Sequence, residues 1–373
     1  ADSVQQRRPN VVLIMMESMS AKFMKHFGQS ETLTPFLDSL YTRSISFRNF
    51  YSAGIHTNHG LYATLYSFPA MMKRNLMKGS VIPRYSGLPT VLKENGYYNL
   101  FFMTHEGQYD NMNAFFRTNG YDEVFSQEDY PADKVVNSFG VQDDFLYDYA
   151  IPVLNQRAAT GQPFFATLLS ISNHPPYVIP PFFHPKTSEP EMQIVEYADW
   201  ALRQFFEEAR KQPWFDNTIF VLEGDHGKLV GDAECELPES YNHIPLMIYS
   251  SRIQPEEKTA FGGQVDIQPT ILGLLNIDYL QNNFGVDLLK EERPCMFYTA
   301  DNMVVGRNDT LLYLYNYETQ QELTYDIGNG KLNAVPMDDS FLPLKEYSFS
   351  MLQSAEFLVK HGKTLNSIPF TQQ

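Results

Sequence analysis

The sequence predicts an α/β fold with a mostly parallel central sheet flanked by helices, followed by a small antiparallel sheet and a helix. Three observations carry this. Short, uninterrupted apolar runs recur between residues 10 and 222, as expected of strands buried on both faces. Helical segments stand between those runs, and that alternation builds parallel sheets. From about residue 297 the texture changes to short, alternating, aromatic stretches broken by Asn-Asp and Gly-Asn-Gly turns.

The polar start of the chain, residues 1–9, reads as a linker or a trimmed end. Asn10–Met16 is the first apolar run and stops at Glu17. Thr34–Leu40 has an N-cap residue, proline in the first turn and then apolar spacing, which predicts a helix. Leu88–Glu94 predicts another, closed by the Asn95-Gly96 C-cap. Further buried strands are expected at Tyr98–Met103, Phe164–Ile171 and Thr218–Leu222, a long amphipathic helix at Ile194–Lys211 and a short one at Asp266–Leu275. Beyond them, Phe297–Thr299, Thr310–Tyr317 and Glu322–Tyr325 read as antiparallel strands and Ser348–Leu358 as a terminal helix. The expected organisation is an α/β catalytic domain over residues 10–296 and a small α+β subdomain over 297–373. No internal repeat or low-complexity segment interrupts it.

Composition narrows the function. Of 373 residues, 43% are hydrophobic and 19% charged, too apolar for a disordered chain. No uninterrupted apolar run reaches the ~18 residues of a membrane span, and no signal-peptide core opens the chain. The net charge of −16 argues against nucleic acid as a partner. That charge is uneven, because residues 1–100 hold 11 Lys/Arg against 5 Asp/Glu. Arg43, Arg48, Lys73, Arg74, Lys78 and Arg84 supply much of the excess. Ordinary surface variation explains it, and so does a face turned toward anionic lipid or phosphate. Cys235 and Cys295 are too few for a disulfide scaffold and lack zinc-type spacing.

Ligands of open parallel sheets gather beyond the C-terminal strand ends, so the residues following each run are the candidates. They are Glu17-Ser18, the segment Ser172-Asn173-His174-Pro175-Pro176-Tyr177, and Glu223-Gly224-Asp225-His226-Gly227. Gly54–Gly60, containing Thr57, leads into a helical stretch. Adjacent Asp225 and His226 between glycines suit a divalent cation with close backbone approach. Each piece has a structural alternative: Glu17 as a helix cap, Thr57 as an N-cap, His226 as a turn histidine. A threonine hydroxyl is a poor nucleophile unless a metal or base lowers its pKa. Glu17, Asp225 and His226 around one cation, with Thr57 as fourth ligand, would meet that need.

These motifs together resemble the extracellular catalytic domain of the lipoteichoic acid synthase family, in the alkaline phosphatase and sulfatase superfamily. Asn10–Ser18 resembles its first strand and metal-binding glutamate, Thr34–Leu40 its TPFL helix, and Gly54–Leu65 its nucleophile loop. Ser172–Tyr177 is similar to its NHxP motif and Gly224–Gly227 to its GDH motif. Gly262–Thr270 with Phe284–Leu289 resembles its closing signature. The resemblance implies phosphoryl transfer through a covalent threonine intermediate, with one divalent cation, usually manganese, otherwise magnesium or zinc. It implies Glu17, Thr57, Asp225 and His226 as metal ligands, Thr57 as nucleophile and His174 as a contact of the phosphoryl group. The implied partners are a phosphatidylglycerol-like head group and a glycan or lipid acceptor, outside the cytoplasmic membrane of a bacterium. A membrane anchor ahead of Ala1 belongs to the same expectation, the basic first hundred residues then following from the membrane.

One stretch departs from the Gram-positive synthases. Asp110 and Met112 stand where those carry a Trp and a glycerol-phosphate-binding Arg, and Thr104–Asn113 instead resembles Gram-negative relatives. His105 and Asp110 line the pocket or order this loop; His243, in Tyr241–Leu246, lines it or packs. Two further readings stand beside transfer. One is a hydrolase of the same fold, a phosphodiesterase or a sulfatase, the latter disfavoured because no Cys and no Pro-x-Arg accompany Thr57. The other is an inactive lipid-binding member.

Overall fold

The computed structural model describes residues 8–366; residues 1–7 of the expected linker and the last seven residues lie outside it. Eight strands form the main sheet. From edge to edge they are Glu256–Gly263, Ile45–Tyr51, Leu246–Tyr249, Thr218–Gly224, Asn10–Met16, Phe164–Leu169, Tyr98–Phe102 and Glu123–Phe125. Leu246–Tyr249 runs antiparallel to both neighbours and every other pairing is parallel.

The first strand shows why the sheet is central. Val11, Leu13 and Met15 enter one core with the helices Thr57–Tyr66, Leu88–Glu94 and Ile267–Leu274. Val12, Ile14 and Met16 enter the other with Pro35–Tyr41, Asp143–Ala159 and Pro190–Ala209. Burial on both faces requires the unbroken apolar run seen in the sequence. Pairing register aligns the strand ends, since Met15 lies opposite both Leu169 and Glu223. Glu17, Ser170 and Asp225 therefore emerge side by side at the C-terminal edge.

Several elements lie outside the sequence expectation, among them the edge strands Glu256–Gly263 and Glu123–Phe125 and the helix Met112–Thr118. Ile45–Tyr51 is a strand whose apolar pattern is interrupted by exposed Arg48 and half-buried Asn49. Leu246–Tyr249 is only four residues long. Asp143–Ala159 is a helix despite Pro152 within it. Its buried positions Leu146, Tyr147, Ala150, Ile151 and Leu154 form one face. The C-terminal sheet has five strands, not three: Met296–Thr299, Met303–Arg307, Leu311–Asn316, Gln321–Gly328 and Lys331–Ala334, in consecutive antiparallel order. The terminal helix, Leu342–Lys360, extends past its expected bounds at both ends. Cys235 and Cys295 are free thiols.

Buried polar contacts tie this second sheet to the first. Thr299 N donates to Ala53 O at 2.9 Å, on the loop that carries Thr57. Arg293, nearly inaccessible, gives its guanidinium to both Asp266 oxygens, to Tyr347 Oη at 2.6 Å and to Phe284 O at 2.7 Å. Asp266 also accepts from Gly263 N and Val286 N, both at 2.9 Å. The two parts of the closing signature are thus one hydrogen-bonded knot. Removing one partner of a buried pair strands the other charge, so Arg293→Met is expected to destabilise the fold by about 3–5 kcal/mol in urea unfolding. A loss well under ~1 kcal/mol would show that the knot is dispensable.

Candidate active site

Four chain segments meet at the C-terminal sheet edge. Glu17 follows the first strand, and Ser18 turns the chain there with φ of 51°. The Glu17 backbone N donates to Ser170 Oγ at 3.0 Å, which fixes it against the neighbouring strand. Asp225 follows Thr218–Gly224, its Oδ1 accepting from Ser18 N at 2.8 Å and His226 N at 2.7 Å. Asp225 Oδ2 is buried and has no hydrogen-bond partner among the described residues. An unpartnered buried carboxylate oxygen is costly in water-free surroundings.

His226 completes the cluster. Its Nδ1 lies 2.7 Å from Gly227 O. A carbonyl only accepts, so Nδ1 carries a proton and Nε2 is the ring atom turned toward the carboxylates. Nε2 lies 3.5 Å from Glu17 Oε1 and 3.6 Å from Asp225 Oδ2. Ligands held tetrahedrally at about 2.1 Å from a cation stand about 3.4 Å apart. One donor atom from each of Glu17, Asp225 and His226 lies within 4.8 Å of the others, so oxygen, oxygen and nitrogen converge as a divalent-cation site needs. The backbone carbonyl on Nδ1 is the outer support that metal-binding histidines ordinarily have.

The electrostatics agree. Burial opposes the charge on Glu17, but His226, the Ser18 hydroxyl and His174 outweigh it and hold the carboxyl below its usual range. Burial, then the adjacent Glu17 charge, drives Asp225 well above its own. Two carboxylates at this separation repel unless a proton or a cation stands between them.

Thr57 is the first residue of the helix Thr57–Tyr66, and His56 occupies the N-cap position. The Thr57 hydroxyl donates to Glu17 Oε2 at 3.1 Å, at the edge of the cluster. The N-cap alternative for Thr57 is therefore not its role. Gly60 lets this helix reach the Asp225 loop, because a Cβ there would lie 2.2 Å from Asp225 O. Gln264 braces the same junction, accepting from Ala53 N at 2.9 Å and donating to Asp225 O at 2.8 Å. The sequence places Gln264 within the closing signature Gly262–Thr270 but gives this neutral residue no individual role.

The remaining candidates separate. His174 stands beside the cluster, close enough for its charge to bear on Glu17. Its Nδ1 is tied to Pro175 O at 2.7 Å and its ring packs on Phe139. His105 is buried under Tyr109, with Nδ1 3.1 Å from Glu106 O. Burial lowers its pKa, against the pull of Asp110 and Glu17. Asp110 pairs with Lys78 at 2.9 Å, and Met112 is fully buried in the core. His243 is brought into a different group, stacked on Tyr51, edge-on to Phe27 and 2.7 Å from Arg48 O; these contacts are the packing alternative.

Lys228 was missed, although it directly follows the Gly224–Gly227 motif. Its Nζ donates to Asn173 Oδ1 at 2.7 Å and to Tyr177 Oη at 2.9 Å. Asn173 in turn donates to Ser18 O. Burial lowers the ammonium pKa to about 8, against the attraction of Glu191 and Glu17. Lys228 thereby brings a positive charge to the wall that carries His174. Its only signal in the sequence was its position after the motif. Asp143 was missed as well; its Oδ1 accepts from Ile171 N and Ser172 N at 2.9 Å and sets the start of the His174 loop.

Comparison with known proteins bears on the family and the fold. The sulfatase family pattern matches residues 9–277. Lipoteichoic acid synthase 2 of Bacillus subtilis is 24% identical over 315 residues, 76% of this chain and 47% of that protein; the chain spans about half the length of the curated relatives it matches. An alkaline phosphatase superfamily protein from Vibrio parahaemolyticus superposes with a TM-score of 0.87 at 28% identity, covering 96% of this chain and 89% of that one. A lipoteichoic acid synthase from Listeria monocytogenes superposes with a TM-score of 0.81 at 21% identity, covering 95% and 93%.

If Asp225 holds a cation, chelator-treated protein gains stability when Mn²⁺ is added, by about 2.7 kcal/mol at a hundredfold excess over Kd. Asp225→Asn should give no such gain in thermal unfolding. An equal gain in the variant would place the ion elsewhere.

Proposed function

The chain belongs to the sulfatase family, and from that premise we propose that it is a phosphotransferase moving a phosphoglycerol or related head group from a phospholipid to an envelope acceptor. One observation carries the reading: the Thr57 hydroxyl is hydrogen-bonded to a carboxylate of the buried Glu17–Asp225–His226 cluster. Residues 10–296 form the catalytic unit in this reading. Residues 297–373 form a subdomain that steadies the Thr57 loop through Thr299 and through Asp301, 2.7 Å from His56. The work is done on the extracytoplasmic side of a membrane.

Glu17, Asp225, His226 and the Thr57 oxygen would hold a divalent cation, manganese in the first instance, and its positive charge would make the hydroxyl acidic. Glu17 Oε2 already orients that hydroxyl. Thr57 Oγ1 attacks phosphorus; the Oγ1–P bond forms as the bond from phosphorus to the diacylglycerol oxygen breaks, and diacylglycerol leaves with the proton. An acceptor hydroxyl then attacks the same phosphorus, the Oγ1–P bond breaks, and the acceptor's proton returns to Thr57. His174, with Nδ1 committed to Pro175 O, offers Nε2, which in the imidazolium form donates to a non-bridging oxygen. The Lys228 ammonium faces the same developing charge. It supplies the cationic contact that buried Met112 cannot, with His105 and Asp110 shaping the wall beyond.

Vesicles of phosphatidylglycerol or phosphatidylethanolamine, a chromogenic phosphodiester and a chromogenic sulfate, each with and without an acceptor alcohol, test this directly. Diacylglycerol release from one lipid, dependent on the acceptor, is expected. Thr57→Ala should lower it by about 10⁴-fold or more, and Lys228→Met should lower kcat/KM by about 10²-fold. Release without acceptor dependence would make the protein a phosphodiesterase, and preferential sulfate cleavage would overturn the phosphoryl reading.

A further inference from the structure

We propose that the segment Phe68–Gly87 is a membrane-docking loop that seats the active-site mouth on an anionic bilayer surface. It begins two residues after the helix carrying Thr57, ends at the helix Leu88–Glu94, and contains no helix or strand. It holds four cations, Lys73, Arg74, Lys78 and Arg84, and no Asp or Glu, in a chain whose net charge is −16. All four are exposed. Among the described residues no carboxylate lies within ion-pair distance of Lys73, Arg74 or Arg84, while Lys78 pairs with Asp110.

The tip of the loop is apolar. Val81 is 80% exposed, the highest value among the large hydrophobic residues described, and Ile82 beside it is 36% exposed. An exposed aliphatic pair between basic side chains matches the chemistry of a leaflet surface: anionic head groups for the cations and acyl boundary for the tip. A protein partner is less well matched, because a two-residue exposed aliphatic pair is too small for a stable interface core.

The base of the loop is built to hold that tip still. Phe68, Met71, Leu76, Met77 and Tyr85 are buried in the main core. Asn111 Nδ2 donates to Met77 O at 3.0 Å and Asn119 Nδ2 to Pro83 O at 2.8 Å, and Tyr85 N donates to Asn119 Oδ1 at 2.8 Å. A fixed base means that little ordering entropy is lost on docking. The same contacts place the loop against Asp110–Asn111, the segment that follows His105. His105 and Tyr109 of that stretch lie near enough to Glu17 to feel its charge, so the loop would flank the entry of a head group, and here the inference rests on the proposed lipid substrate.

The test uses the whole chain, without turnover, in co-flotation with phosphatidylcholine vesicles that either contain or lack phosphatidylglycerol. Binding to the anionic vesicles is expected, falling as salt rises. The combined Lys73→Glu, Arg74→Glu and Arg84→Glu variant should partition at least tenfold more weakly, and Val81→Asp severalfold more weakly. Thermal unfolding and cleavage of a soluble phosphodiester should be unchanged in both. Equal vesicle binding by the charge-reversed variant, or equal binding to neutral vesicles, would overturn the inference. Loss of soluble-diester cleavage by wild-type protein would instead strike the proposed chemistry and leave the docking result standing.

Discussion

Two carboxylates, Glu17 and Asp225, share one buried pocket, and much of the local structure is arranged to hold them there. Left alone they repel, and burial makes each charge dearer. Ser18 supplies a hydroxyl to one and a backbone N–H to the other. His226 approaches both through Nε2, and Asp225 still has an oxygen with no partner among the described residues. A cation would resolve this conflict, and on the proposed chemistry its field would let the Thr57 hydroxyl act as a nucleophile.

The sheet converts this local constraint into a fold requirement. Glu17 and Asp225 are far apart in the chain and meet because their strands are parallel neighbours in register. The Thr57 helix comes in from outside the sheet, and its approach depends on Gly60 at the Asp225 carbonyl and on Gln264 bridging Ala53 to the Asp225 loop. The Arg293–Asp266 knot lies next to Gln264 in sequence. It links the helix Leu342–Lys360, through Tyr347, to the segment that holds the Thr57 loop. Stability and chemistry therefore share residues in this region, and the closing signature reads as scaffold for the site.

Much of this was legible in the sequence, for physical reasons that also explain the gaps. Strands buried on both faces announce themselves as unbroken apolar runs, so Asn10–Met16 and Thr218–Leu222 are evident, and the candidate chemistry at their ends with them. Ile45–Tyr51 was not, because Arg48 and Asn49 interrupt its pattern; nor was Asp143–Ala159, with Asp143-Asp144 at its start and Pro152 inside it. Metal ligands are conspicuous by residue type. Lys228, Gln264 and Asp143 act through contacts made only in the fold, and a lysine or glutamine in a loop looks the same whether it braces a site or faces water. His243 shows the reverse: a conspicuous residue type whose ring is occupied by Tyr51 and Phe27.

The account stands on one cation among Glu17, Thr57, Asp225 and His226. Anomalous scattering at the manganese edge, from crystals grown with Mn²⁺, tests this most directly. The predicted result is a single strong peak between the Glu17 and Asp225 carboxylates, bonded to His226 Nε2 and the Thr57 oxygen. A peak at another site, or none at this cluster with the metal present, would contradict the account.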